Sequence, residues 1–165
     1  MHPTTTIATT TKPTTMIRSR DDGQATWFFN ALMTTKAAMS ETAGAYSLTE
    51  HLVTAASNPP MHVQVDEDEA FYILEGEVEF EIDGQVALAT PGTFAFVARG
   101  AAHTFRVLTD TARMLVICSG KPADNLEDFF LAMGTPATER ALPTPGAPDV
   151  DRLIDVCDRT GIALV

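Results

Sequence analysis

The sequence predicts a mainly β protein, one barrel of antiparallel strands followed by two C-terminal helices, and three observations carry that expectation. Between Ala25 and about Cys118, stretches rich in branched and aromatic residues recur at spacings of roughly 8 to 12 residues, with Gly, Pro or Asp between them. Val78, Phe80 and Ile82 alternate strictly with Glu77, Glu79 and Glu81 and then meet Asp83-Gly84, the period and turn signature of a half-buried hairpin strand. Only beyond Cys118 does the apolar spacing lengthen to that of a helix.

Taken in order, residues 1–24 form a Thr-rich segment with almost no core-forming pattern, expected to be a disordered tail. Residues 25–120 are expected to form the barrel. Its first strands are read at Thr26-Trp27-Phe28-Phe29 and Leu32–Ala37, with Asn30-Ala31 as the turn, and the next at Tyr46–Val53. Residues 121–165 are read as a helical extension packed on the barrel. Leu126, Phe129, Phe130 and Met133 make one apolar stripe, with Asp124 as the N-cap, Glu127 in capping-box register and Gly134 as the stop. Val150, Leu153, Ile154 and Cys157 make the second, between Asp149 and Gly161. The Pro-rich stretch from Pro136 to Pro148 is expected to be an extended surface loop. Both helices are expected to cover the outside of the barrel.

A chain of 165 residues is the size of one domain. Its net charge of −11 argues against nucleic acid and anionic membrane surfaces as partners. No stretch has the length and apolarity of a membrane span or a secretory signal, and a cytoplasmic location is the expectation. Cys118 and Cys157 sit at apolar positions and read as buried free thiols.

The chemistry is concentrated in two stretches. In Met61-His62-Val63-Gln64, residues two apart on a strand face the same way, so His62 and Gln64 point at one spot, and the acidic turn Asp66-Glu67-Asp68 can swing Glu69 back toward them. Glu69 shares a face with Phe71 and Ile73, which singles it out from its acidic neighbours. The run Gly92–His103 supplies an alternating strand, a Gly-containing turn and a histidine opening the next strand. His51 is read as a surface or rim residue, and His2, in the tail, has no role.

These two stretches resemble the paired motifs of the cupin superfamily. The first motif matches at His62, Glu69 and Gly76, the second at Gly92, Gly100 and His103. The resemblance implies a single double-stranded β-helix (jelly-roll) barrel and one divalent transition metal, of the set Fe, Mn, Ni, Co or Zn, held by His62, Gln64, Glu69 and His103. Gln64 stands where the family usually has a second histidine, and an amide oxygen is a weaker, harder ligand than imidazole. Ala98 and Val107 replace a usual proline and asparagine. Phe71, Ile73, Phe80, Phe94, Phe96 and Phe105, all assigned inward, are the expected pocket walls.

From about Trp27 onward the chain resembles the small quercetin dioxygenase-like cupins, in phrases such as Asp68–Gly76 and Arg99–Arg106. That likeness implies a dioxygenase acting on a small aromatic or enolisable substrate, with Glu69 also accepting the substrate's proton. Two alternatives stand beside it: an isomerase, cyclase or lyase on the same metal, and a metal-free small-molecule binding cupin. A homodimer through the apolar Trp27-Phe28-Phe29 region is also expected.

Overall fold

The computed structural model describes residues 12–121, 123–147 and 149–165. Twelve strands and two helices follow in the order β1 (Gln24–Phe28), β2 (Ala31–Ala37), β3 (Ser47–Thr54), β4 (His62–Gln64), β5 (Asp68–Glu75), β6 (Val78–Ile82), β7 (Gln85–Ala89), β8 (Phe94–Val97), β9 (Ala102–Val107), β10 (Thr111–Ser119), α1 (Leu126–Met133), β11 (Thr135–Pro136), α2 (Val150–Thr160) and β12 (Ile162–Leu164). They form two antiparallel sheets, one of seven strands ordered β11-β1-β2-β3-β10-β5-β8 and one of five ordered β12-β4-β9-β6-β7. This is the mainly β fold expected from the strand pattern, in the jelly-roll form that the family resemblance implies. The inner faces of both sheets meet in one core that includes Val53, Phe71, Ile73, Val78, Phe80, Val97, Val107, Met114 and Val116.

Local chemistry accounts for the turns. Asp83 and Gly84 both take positive φ, 48° and 75°, and Ile82 pairs directly with Gln85, so this is the two-residue turn whose twist matches paired strands. The first hairpin turns in the same way, but at Phe29-Asn30 (φ 43° and 62°), one residue before the expected Asn30-Ala31, and Ala31 already pairs with Phe28. At Gly76, where φ is +82°, a Cβ would sit 2.5 Å from the Thr111 carbonyl oxygen. Only glycine combines that backbone angle with that approach.

The helices form where their apolar spacing predicts, with one capping residue displaced. Asn125, not Asp124, caps α1: its side chain accepts from Asp128 N, and the Asp128 carboxylate accepts from Asn125 N. Glu127 instead accepts from Met39 N at 2.8 Å, tying the first turn of α1 to the barrel. Asp149 and Gly161 cap α2 as expected. The Pro-rich link is not wholly irregular, since Thr135-Pro136 pairs with β1, and the last residues return as β12 beside β4.

Of the expected tail, residues 1–11, His2 among them, lie outside the described residues. The stretch that follows is tied to the barrel by Arg18, which pairs with both carboxylate oxygens of Glu41 at 2.6 and 2.7 Å and donates to Lys36 O. Both cysteines are free and buried. No helix among the described residues is long and apolar enough to cross a membrane.

Candidate functional site

Three strands from two sheets converge on one point. His62 on β4 lies directly opposite His103 on β9, their rings 4.2 Å apart between centroids. Glu69 opens the inward face of β5 in the other sheet, beside Cys118 and Val97, and so reaches the histidines across the barrel. Ligand atoms of His62, Glu69 and His103 all lie within 4.8 Å of one another. These three of the four expected ligands are brought together.

The hydrogen bonds around them define which atoms are left for chemistry. Nδ1 of His62 meets Pro60 O at 3.0 Å, and Nδ1 of His103 meets Ala101 O at 3.1 Å. A carbonyl only accepts, so each Nδ1 carries the proton and each Nε2 is left as a lone-pair acceptor. Yet His103 Nε2 faces Glu69 Oε2 at 3.0 Å. Two acceptors at that distance need a cation between or beside them. A proton on His103 is one solution: burial presses its pKa down, but the hydrogen bond to Glu69 and the carboxylate's charge outweigh that and raise it. A divalent metal is the other, and backbone-anchored imidazoles are how proteins orient metal ligands. His62 has its pKa lowered, by burial first and by its proximity to His103 second, so it stays a neutral donor. The donor set therefore fits a divalent transition metal.

Gln64 is 2% exposed on the same strand as His62, and its Nε2 has no hydrogen-bond partner among the described residues. Glu67 is a second buried carboxylate, also 2% exposed, that the sequence reading passed over. It stands two residues before Glu69, just outside β5, and the spacing of two that puts residues on one face is the single hint the sequence held of it. Its Oε2 accepts from Leu126 N at 2.7 Å, its Oε1 has no partner among the described residues, and burial pushes its pKa up to about 7.

Two other expectations are corrected. His51 is not at the surface: it is buried on the inward face of β3, bonded to Thr49 Oγ1 at 2.7 Å and set edge-on to Phe130. Burial lowers its pKa to about 4, with the charge of Glu69 opposing only in part. Among the expected pocket residues, Phe71, Ile73 and Phe80 are buried and Phe105 partly so, but Phe94 and Phe96 are 61% and 55% exposed. On β8 it is Ala95 and Val97 that face inward, opposite Phe71 and Glu69.

The helices do not merely cover the outside. A cavity of about 90 Å³ reaches His62 and Glu69 and is lined by Leu126, Phe129 and Phe130 of α1, by Leu153 and Cys157 of α2, and by Ile162 and Leu164 of β12. Phe28, Phe71, Pro59 and Pro60 complete its walls. Phe28 stacks edge-on against Phe129 and Phe130 at 5.3 and 5.2 Å, so the middle residue of the apolar stretch expected to serve a dimer packs against the chain's own helix. A larger open groove, between Pro13–Arg20 and the outer side of β3 and β10, lies away from these ligands.

Residues 49–119 match the Cupin domain family. The quercetin 2,3-dioxygenase of Bacillus subtilis is 25% identical over 91 residues, 55% of this chain but only 26% of that protein's length. Among solved structures, a predicted oxalate decarboxylase from Thermotoga maritima superposes with a TM-score of 0.58 at 16% identity, covering 65% of this chain and all of that one. The polyketide cyclase RemF from Streptomyces resistomycificus superposes with a TM-score of 0.54 at 25% identity, over 63% of this chain and 79% of its own.

Proposed function

As this chain is a member of the cupin superfamily, we propose that it is a metal-dependent enzyme acting on a small enolisable or aromatic molecule, with dioxygenase chemistry as its leading reading. The observation that carries the proposal is the convergence of His62, Glu69 and His103, whose ligand atoms all lie within 4.8 Å of one another, with His103 Nε2 3.0 Å from Glu69 Oε2. His62, Glu69 and His103 would hold one divalent ion, with Gln64 completing or tuning the set. Such an ion, when bound with open positions, supplies Lewis acidity or a place for O2 beside a chelating substrate.

The chain's own groups do the rest. Carbonyls of Pro60 and Ala101 hold the imidazoles in register. Glu69 is placed to accept the proton of an enol hydroxyl at its carboxylate, since only Oε2 is engaged among the described residues. The apolar walls exclude water from a reactive enolate. The similarity to a quercetin dioxygenase supports the oxidative reading. The comparable similarity to a polyketide cyclase supports a second reading, the same site used without oxygen.

An oxygen electrode separates the two: the leading reading expects uptake with an enolisable substrate, and turnover without uptake replaces it with the second. In Glu69→Gln, part of the metal is expected to stay while turnover disappears; unchanged activity removes the proton-accepting role. A metal-free binding cupin is the outcome if tag-free protein retains no ion. A small-molecule substrate, a cytoplasmic location and a homodimer belong to the same proposal. The exposed row Tyr72, Phe94, Phe96 and Ile117 is the surface such a dimer would bury, and light scattering at micromolar concentration measures it.

A further inference from the structure

The cavity beside the candidate ligands is small and lined mostly by apolar side chains. An apolar cavity of roughly 150 Å³ holds one benzene, and pockets for drug-sized ligands run to roughly 300–1,000 Å³. This one has about 90 Å³. Among the described residues its walls carry neither lysine nor arginine, and apart from the Ser57 hydroxyl and the Cys157 thiol their polar side chains are His62 and Glu69, at the metal end. A phosphate or a second carboxylate would find no counter-charge there.

The wall that limits the space is α1, and it is held at several points. Glu67 Oε2 accepts from Leu126 N and Glu127 from Met39 N, while Asn125 and Asp128 cap the first turn reciprocally. Phe130 packs against Phe28, at 5.2 Å, and against the buried ring of His51, also at 5.2 Å. A side chain packed against two such rings cannot yield space without leaving a void elsewhere.

We propose that α1 restricts this site to short, non-aromatic enolisable molecules, with one chelating head and a tail of a few carbon atoms, and that Phe130 is the specificity-determining residue that sets the limit. The inference rests on the metal-site reading and deepens it, choosing the enolisable over the aromatic substrate. Quercetin-sized molecules are then excluded, whatever the reaction.

Two hydroxamates that share a chelating head and differ only in the tail test this: acetohydroxamate, with a methyl group, and benzohydroxamate, with a phenyl. Binding is read from the visible spectrum of the full chain loaded with Co(II). In an open pocket the phenyl group adds affinity through its apolar area. Here acetohydroxamate is expected to bind at least about tenfold more tightly than benzohydroxamate, a difference of about 1.4 kcal/mol, and Phe130→Ala is expected to remove or reverse that preference. Should Phe130→Ala fail to fold by circular dichroism, Leu153→Ala opens the same cavity from α2 and is expected to shift the preference the same way. Equal or tighter benzohydroxamate binding by the cobalt-loaded wild type overturns the size limit alone. Wild-type protein that takes up no cobalt overturns the metal-site reading, and this inference with it.

Discussion

Replacing His51 by glutamine should remove an acid-sensitive component of stability, and the size of that component follows from burial. The imidazole titrates at about 4 in the fold against an ordinary value of 6.5, because it lies fully enclosed between Thr49 and Phe130. Between those two values the unfolded chain binds a proton that the folded chain refuses, so stability falls as the pH drops from 6.5 toward 4 and is unaffected by this group above that window. At about 1.4 kcal/mol per pH unit, the loss approaches roughly 3 kcal/mol. Other groups titrate nearby. His62, also depressed, acts in the same sense, whereas Glu67 and His103, both raised, lose stabilisation as the pH rises. The difference between wild type and His51→Gln cancels what they share. Urea denaturation of chelator-treated protein from about pH 7.5 to about 4.5 should therefore give a wild-type-minus-variant stability that is flat above about 7 and slopes at about 1.4 kcal/mol per unit below 6.5. A difference that stays level through that range would refute the enclosure of His51.

Three further outcomes follow from the same structure. Gly76→Ala forces a Cβ to 2.5 Å from Thr111 O at a φ of +82° and should cost upward of about 1 kcal/mol in thermal unfolding; a neutral effect would contradict the close approach of β5 and β10 there. The Arg18–Glu41 pair holds Glu41 at about 2 through hydrogen bonds from Arg18 and Ala38 N. Its stabilisation is present above pH 4.5 and is lost as the pH falls toward 2, so Glu41→Gln should cost about 0.5–1 kcal/mol at neutral pH, fading in acid, with the partly exposed pair screened by solvent. Gln64→His should tighten metal binding by supplying imidazole in place of an amide, and calorimetry showing no gain would place Gln64 outside the ligand set.

The barrel was legible in the sequence because half-buried strands write their period plainly, as Val78, Phe80 and Ile82 do, and because Asp83-Gly84 admits one tight turn. His62, Glu69 and His103 were legible through strand parity and the resemblance of two motifs. Parity failed where both faces of a strand are apolar: Phe94-Ala95-Phe96-Val97 offers no polar side, and the larger residues proved to be the outer ones. It failed in the opposite sense on β3, where Thr49 and His51 face inward and Leu48 and Leu52 are only partly buried. Glu67 was hidden in a run of acids that reads as a solvated turn. That α1 and α2 close the site rather than coat the exterior was not written in their amphipathic stripes, which say which face is buried but not against what. Nor do two- and three-residue strands such as β11 and β12 carry enough pattern to be found.

If His62, Glu69 and His103 act together on one cation, titration calorimetry of chelator-stripped, tag-free protein with Co(II) should find one ion per chain, with binding lost in His103→Ala and in Glu69→Ala alike. Binding that survives both substitutions, or no binding by the wild-type chain, would contradict it.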